Sequence, residues 1–538
     1  MRISLFALTI LAGFTASLLA GESNGTYRSH PLTLDEAVQI AIKENPNILR
    51  QVQELKRNKG LVYQAQARLL PQVTGSSSYT QDDPGLVSNA TGGRNANIDL
   101  LAVAGGQTPV VAGGTIANSV SIPLSSLLSS QRQATESWTV QIQVTQLLYD
   151  GGATIASRRA ARINEDAAYY TLRDTIDSTV ETVRTQFYQI LLDKALIQVQ
   201  EESVNLLQSQ LEDQSSRYEA GTVPQFNVLQ AQSQLQNQIP QLITAQNNYR
   251  IAQAQLAKTL GIPAGRQYST DDPLPIAGRL TYTPITYDLS SALITARANR
   301  PFLKAQRSNV LSSVEQITVA ASGWKPTISA NIGLRQTNNP RSSQLDNTLE
   351  GWFFGFTGSW NIFDGGSTYG NLKATRATLE ENKVTLDDST RQVELDVSTA
   401  VDNLRQAQET IVATEKAVEV SQEALRLSNE RLAAGTGTQL DVLTSQTNLT
   451  TARSNLVQAQ FNYIAGVAQY QFAIGTETKY NDMFDSPDKR PATLTNWEAN
   501  KALRSRYDSP LDPDKPSTTK AKKESLSPPQ GKIEFSND

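Results

Sequence analysis

The chain has 538 residues, a formal net charge of −4, no cysteine and a single histidine, His30. This charge balance argues against a general nucleic-acid binder, the missing thiols exclude disulfides, thiolate metal sites and thiol catalysis, and one histidine excludes a histidine cluster or triad within a single chain. A hydrophobic fraction of 39% is low for a compact globule, and the length suits either several domains or one elongated unit built from repeats.

Arg2 precedes an apolar run from Ile3 to about Ala20 that ends in small residues. That order predicts a secretory signal peptide over 1–20 rather than a membrane anchor. No cysteine follows it, so a lipid anchor there is excluded. No later stretch holds about 18 consecutive apolar residues, so no transmembrane helix is expected. Any membrane-crossing part must then be a β-barrel.

An internal duplication organises the rest. Asn45-Pro46 and Arg300-Pro301 are 255 residues apart, as are Pro71 and Pro326. Tyr149-Asp150-Gly151-Gly152 and Phe363-Asp364-Gly365-Gly366 are 214 apart, as are Ala220-Gly221-Thr222 and Ala434-Gly435-Thr436, and Gly261 and Gly475. Two constant offsets mean two homologous halves with one indel of 41 residues, placed between Pro71 and Trp138. Gly, Pro, Asn and Asp fill that interval, which reads as an enlarged surface loop. Its shorter counterpart lies around Asn338-Asn339-Pro340.

Each half opens with a helix. Thr33 and the acids Asp35 and Glu36 mark its start, Pro46 kinks or restarts it, and Pro71 ends it. Strands follow. Trp138, Val140, Ile142 and Val144 alternate with Thr139, Gln141, Gln143 and Thr145; Ile328, Ala330, Ile332 and Leu334 alternate with Ser329, Asn331, Gly333 and Arg335. Four aromatic-flanked strands cannot close a barrel alone, because the smallest barrels need about eight. Several chains would have to share one.

Asp-Gly-Gly then occurs once per half. A lone carboxylate beside glycines is too little for calcium, so Asp150, Gly151 and Gly152, and Asp364, Gly365 and Gly366, read as capped strand-to-helix joints. From about Ala153 to Glu219 there is neither proline nor glycine, and Ile176, Val183, Ile190, Ile197, Val204, Leu211 and Tyr218 keep a seven-residue period. Val397, Leu404, Ile411, Val418, Leu425 and Leu432 repeat it. This is coiled-coil spacing, and about 67 residues make a rod roughly 100 Å long. Gly221 and Gly435 suit left-handed helix ends, after which a shorter helix returns.

The expected fold class is mostly α with a small β part. The first repeat spans 21–262, with strands at about 72–80 and 138–148, a long helix at about 153–219, a tip at 220–224 and a return helix at 224–260. A linker covers 263–285. The second repeat spans 286–476, with strands at about 327–336 and 352–362, a long helix at about 367–433, a tip at 434–438 and a return helix at 438–474. A polar tail, 477–538, is rich in Pro, Lys and Ser and is expected to be largely disordered.

The opening Leu32-Thr33-Leu34-Asp35-Glu36-Ala37-Val38, Asn45-Pro46, Leu69-Leu70-Pro71, the paired Asp-Gly-Gly joints and the paired tips ending in Val228-Leu229 and Val442-Leu443 form an ordered, duplicated set. From about Leu32 to Gly475 the chain resembles the TolC family of outer-membrane efflux proteins. The resemblance implies a homotrimer with a twelve-stranded barrel in outer-membrane lipid and a helical tunnel in the periplasm. It implies an exit duct for a tripartite efflux pump or type I secretion system, working with a periplasmic adaptor (a membrane fusion protein) and an inner-membrane transporter. It implies no reaction, no cofactor and no nucleic-acid partner. Asp441 then matches one position of an acidic ring at the tunnel aperture; the second such position is Thr444, and Asn227 stands where the first tip often has an aspartate. The closed-state latch positions are Leu432 and Gly437, which lack the family's tyrosine and arginine. Gly221, Thr222, Gly435 and Thr436 are the implied adaptor contacts.

Plainer readings stand beside these. Asp441 also suits the first turn of the returning helix. A periplasmic coiled-coil structural or adaptor-like protein without a pore would share the signal peptide, heptads and repeat, but would not need aromatic-ended strands. Asp271-Asp272 and Asp387-Asp388, paired acids that point toward an extracytoplasmic hydrolase, fall in a Pro-containing loop and on a polar helix face and read as solvated surface.

Overall fold

Helix α1 (Leu34–Glu44) starts at the capping box the sequence provides: Glu36 N donates to Thr33 Oγ1 at 3.4 Å, and Thr33 N donates to Glu36 Oε2 at 3.0 Å. Pro46 has no amide hydrogen and occupies the first position of α2 (Pro46–Ala67), so one residue, Asn45, ends α1 and begins α2. Its Oδ1 accepts from Asn47 N at 2.8 Å and Ile48 N at 3.3 Å. The architecture is that of a computed structural model, described for residues 31–82, 136–262, 274–338 and 345–476, all within the unit Met1–Ser486. The signal-peptide segment, His30, most of the enlarged loop, Asn339-Pro340, Asp271-Asp272 and the tail lie outside the described residues.

Two 67-residue rods dominate, α3 (Ala153–Glu219) and α7 (Ser367–Ala433). Each turns back at its tip into a 36-residue helix, α4 (Gln225–Leu260) or α8 (Gln439–Ile474). The return helices reach only part of the way, and the rest of each track is filled by α1 and α2 or by α5 (Leu289–Asn299) and α6 (Pro301–Ala321). Helix α6 packs between the two rods, and α8 lies against both α7 and α3.

The end-to-end junctions explain the repeated glycines. Gly261, at φ +78°, ends α4 so close to α1 that a Cβ there would lie 2.4 Å from Glu44 O. Asn45 Nδ2 donates across the junction to Thr259 O at 2.7 Å. In the second half Arg300 replaces Asn45. It is buried, donates from Nη1 to Phe472 O, stacks 3.8 Å from the Phe472 ring centroid and pairs with Asp174 at 3.9 Å.

The heptad seam is buried over only part of each rod. Ile176, Val183, Ile190, Val397, Leu404 and Ile411 are in the core, whereas Ile197, Val204, Leu211, Val418, Leu425 and Leu432 are half-buried and Tyr218 is exposed. Toward the tip of α3 the buried positions become Ser203, Leu207 and Gln214, because there α8 lies against α3. The described part of the expected linker is packed rather than loose. Tyr463 Oη donates to Thr283 O at 3.0 Å and accepts from Ile285 N at 2.9 Å, binding the segment before α5 against α8.

Strands β1 (Gln72–Gln81), β2 (Glu136–Tyr149), β3 (Thr327–Asn338) and β4 (Thr348–Ser359) form one antiparallel sheet in that order. The fourth strand corrects the expected 352–362. Its last partner is Thr327, the first residue of β3, so nothing remains for residues 360–362 to pair with. Trp360 instead donates its indole N–H to Trp324 O at 3.1 Å.

Candidate functional site: sheet faces, joints and hairpin tips

Register gives the sheet two chemically opposite faces. Tyr79 pairs with Trp138, Val73 with Val144, Ile142 with Leu334, Ile332 with Phe354, and Leu334 with Trp352, so these apolar side chains share one face. Tyr79, Ile142, Ile332, Leu334, Trp352, Phe354 and Phe356 are all exposed. A monomeric soluble protein rarely leaves so large an aromatic patch bare. The opposite face is a connected polar network. Gln141 Nε2 donates to Gln143 Oε1 at 3.0 Å, Gln143 Nε2 to Asn331 Oδ1 at 3.1 Å, and Asn331 Nδ2 to Thr357 Oγ1 at 3.0 Å. Arg335 Nε joins it through Gln141 Oε1 at 3.0 Å. Among the described residues no helix is long and apolar enough to cross a membrane.

Both joints use their aspartate on themselves. Asp150 Oδ1 accepts from Gly152 N at 3.0 Å and Oδ2 from Thr154 N at 2.7 Å and from the Thr154 hydroxyl. Asp364 accepts from Gly366 N at 3.0 Å and Thr368 N at 2.7 Å, and the Thr368 bonds hold its carboxyl below the usual carboxylate range. Gly151, Gly152, Gly365 and Gly366 have φ of +71°, +90°, +67° and +87°. Two consecutive left-handed residues turn a strand sharply into a rod, and glycine adopts that conformation without steric cost. These carboxylates cap their turns, and among the described residues no three acidic or histidine side chains gather as metal ligands.

The two tips share a backbone and differ in their caps. Gly221 and Gly435 lie at φ +75° and +73°. Thr222 N and Thr436 N each donate to the carbonyl of Arg217 or Arg431 at 2.9 Å. All four of these tip residues are exposed, so the two turns and the two threonine side chains face outward. In the second tip Thr438 and Asp441 form a full capping box: Asp441 N donates to Thr438 Oγ1 at 3.2 Å and Thr438 N to Asp441 Oδ2 at 2.9 Å. The Thr438 backbone bond, then its hydroxyl, and the nearby Arg431 lower the Asp441 pKa. In the first tip Pro224 and Asn227 occupy those positions, and α4 has no side-chain cap. Asp441 is exposed beside Thr444, whose hydroxyl is turned back to Leu440 O at 2.8 Å, and Asn227 is half-buried. At the positions Leu432 and Gly437 the turn is tight: a Cβ on Gly437 would come within 3.0 Å of Arg431 Cβ.

A contact between the hairpins has no local sequence signal. Gln214 on α3 and Gln439 on α8 are buried together, and Gln214 Nε2 donates to Gln439 Oε1 at 3.2 Å. Further up, Arg453 pairs with Glu202 at 2.7 Å and Thr450 Oγ1 donates to Ser203 Oγ at 3.3 Å. Glutamine is common throughout these helices, so nothing in the spacing singled out this pair.

The sequence profile of outer membrane efflux proteins matches residues 37–262 and 292–476. Nodulation protein T of Rhizobium leguminosarum bv. trifolii is 23% identical over 319 residues, 55% of this chain and 65% of that protein. Outer membrane efflux protein BepC of Brucella suis biovar 1 (strain 1330) is 23% identical over 277 residues, 51% of this chain and 58% of that protein. The chain thus spans less than two thirds of the length of either relative. The Campylobacter jejuni CmeC outer membrane channel shares the fold, with a TM-score of 0.66 at 14% identity over 82% of this chain and 85% of that one.

Proposed function

The chain belongs to the outer membrane efflux protein family, and from that premise we propose that it is the exit duct of an efflux pump or type I secretion system. Three copies share one barrel in the outer membrane, and the rods continue it as a tunnel into the periplasm. The sheet carries this reading. Its exposed aromatic face suits lipid and its hydrogen-bonded polar face suits water, as in transmembrane barrels. Its edges are β1 and β4, which run in opposite directions, so β4 of one copy can pair antiparallel with β1 of the next. Four strands from each of three copies make twelve, an even number that closes without a free edge.

The rods support the same assembly. Val384, Leu395, Val420 and Leu427 are exposed and fall within about 40° of one another around α7 at 3.6 residues per turn. Val397, Leu404 and Ile411, in the core, lie on the opposite side. A helix apolar on both sides needs a second partner, and a neighbouring copy supplies one. Asp441 from three second tips then forms an acidic ring at the aperture, with Thr444 and Asn227 at the neighbouring positions. Gly221, Thr222, Gly435 and Thr436 meet the adaptor, and an inner-membrane transporter supplies the energy. The duct itself performs no reaction.

Single-channel recording of the purified protein in planar bilayers, with mass measurement in detergent, tests this. A trimer with a stable conductance is the expected result. A monomer that never inserts overturns the duct and leaves a periplasmic rod.

A further inference from the structure

The four strands contain three charged residues, Glu136, Arg335 and Glu350. Glu136 is two residues from Trp138, and Glu350 pairs with Gln336, which pairs with Val140, so both belong to the apolar face at its outer margin. Arg335 alone is charged on the polar face. It pairs with Gln141 and Gly351, three residues before β3 ends and eight after it begins beside the helices. That places it about 26 Å from the helical end of the sheet.

Two polar-face residues beside it are not polar. Phe353 is an aromatic residue on the polar face, flanked by the lipid-side Trp352 and Phe354. Gly333 lies beside it, where a Cβ would approach the Phe353 ring to 2.8 Å and Ile142 O to 2.5 Å. Lipid contact explains neither residue. The Arg335 guanidinium explains both: its carbon stands 4.9 Å from the Phe353 ring centroid, and Gln141 Oε1 holds its Nε at 3.0 Å. Gly333 makes room for the ring, the ring supports the cation, and the amide fixes its direction. The side chain remains exposed.

We infer that Arg335 is a specificity-determining residue, three copies of which form a cationic ring in the outer part of the barrel that receives carboxylate or phosphate groups of passing solutes. The inference rests on the trimeric duct. Twelve strands at about 4.8 Å spacing and about 40° tilt give a backbone radius of roughly 12 Å. Each guanidinium then stands within about one Debye length of the axis at 0.1 M salt, ~10 Å. The ring opposes the Asp441 ring in sign and lies at the other end, so the path holds two filters in series.

The test uses full-length channels carrying Asp441→Ala, which removes the second filter, in planar bilayers at about 0.01 M KCl, where the Debye length is ~30 Å. The reversal potential gives the chloride-to-potassium permeability ratio. Adding Arg335→Gln is expected to lower that ratio about threefold, and Arg335→Lys to preserve it. A ratio unchanged by Arg335→Gln in a conducting trimer overturns the ring and leaves the duct standing. Citrate, a trianion, supplies a measurement that needs no variant at position 335. Added to the barrel side, it is expected to reduce the current more than from the tip side. Equal effect from both sides, or none, overturns the ring. No conductance from any variant overturns the duct, and the ring with it.

Discussion

Gln214 and Gln439 share one hydrogen bond, 3.2 Å from Nε2 to Oε1, while Gln214 Oε1 and Gln439 Nε2 lie buried without a partner among the described residues. This half-satisfied pair joins α3 to the first residue of α8, next to the second tip. Gln214 Nε2 also donates to Asp213 Oδ2 at 3.3 Å, so removing Gln214 strands the Gln439 amide at about 1–3 kcal/mol, whereas replacing both with apolar groups of similar shape is close to neutral. Gln214→Ala is therefore expected to loosen the tips and raise single-channel conductance. The double variant Gln214→Leu with Gln439→Leu is expected to keep wild-type conductance and to melt no lower than wild type. Melting curves and recordings on the same preparations check both.

Asp441 has two roles that different substitutions separate. Asparagine keeps an oxygen for the capping box but loses the charge; alanine loses both. Cation preference should fall in Asp441→Asn and Asp441→Ala alike, and only the alanine variant should also melt earlier. The pH dependence follows from the lowered pKa. A carboxyl whose folded pKa is depressed adds stability that is present above its unfolded pKa and is lost only as pH falls through the folded value. The Thr438 bonds put that value below the ordinary 3.8 in each tip, which works against the rise that three like charges in one ring would cause, so cap and charge should both persist at pH 5. Reversal potentials at pH 7 and pH 5 should then give the same cation preference.

The fold class was legible because its determinants are local and repeated. A 67-residue run without proline or glycine over Ala153–Glu219 leaves little but a rod, and Trp138 to Val144 alternate on a strict period of two. What was not legible depends on distant partners. Trp360 continues the alternation, but the ladder stops at Ser359 because β3 begins at Thr327. The shift of buried positions to Leu207 and Gln214 follows from α8 lying on α3, which no spacing within α3 encodes. Tyr463 holds the Thr283–Ile285 segment through two backbone groups, and a backbone partner leaves no mark on the sequence it belongs to. Arg335 was visible as a polar-face residue, but its place over Phe353 required the register of β3 on β4.

The duplicated joints should tolerate substitution unequally. Gly365→Ala meets nothing within 4 Å, so its cost is the left-handed backbone alone, about 1–2 kcal/mol. Gly151 has the same positive φ, but a Cβ there would lie 2.9 Å from both Lys325 Cβ and Cδ and 3.2 Å from Ser322 Cβ. Lys325 is also committed, donating from Nζ to Gly151 O at 3.1 Å. Gly151→Ala should cost about 1 kcal/mol more than Gly365→Ala. Denaturant unfolding of the two variants side by side gives the difference, and equal costs would mean that Lys325 swings away freely.

Arg300 gives the second half a charged version of the Asn45 junction, and its removal should be costly in a pH-dependent way. The guanidinium is buried against Phe472, with Asp174 at 3.9 Å and Asp177 and Asp396 contributing charge around it. Arg300→Met keeps the length and apolar stem but leaves Asp174 without its cation, a loss of about 3 kcal/mol at neutral pH, while Asp177 keeps Arg173 at 3.9 Å. Burial raises the Asp174 pKa, and Arg300 works against that rise. Without the arginine the rise is larger. A carboxyl with a raised folded pKa binds its proton more tightly in the folded state, so stability increases as pH falls through that pKa. The deficit of Arg300→Met relative to wild type should therefore be greatest at pH 7 and shrink as the pH approaches 4.5. Arg300→Lys should recover part of the stability at pH 7, because it restores a charge but neither the planar stack on Phe472 nor the directed bond to its carbonyl. Urea melts at the two pH values measure both effects, and a deficit independent of pH would mean that packing on Phe472, rather than charge, holds the junction.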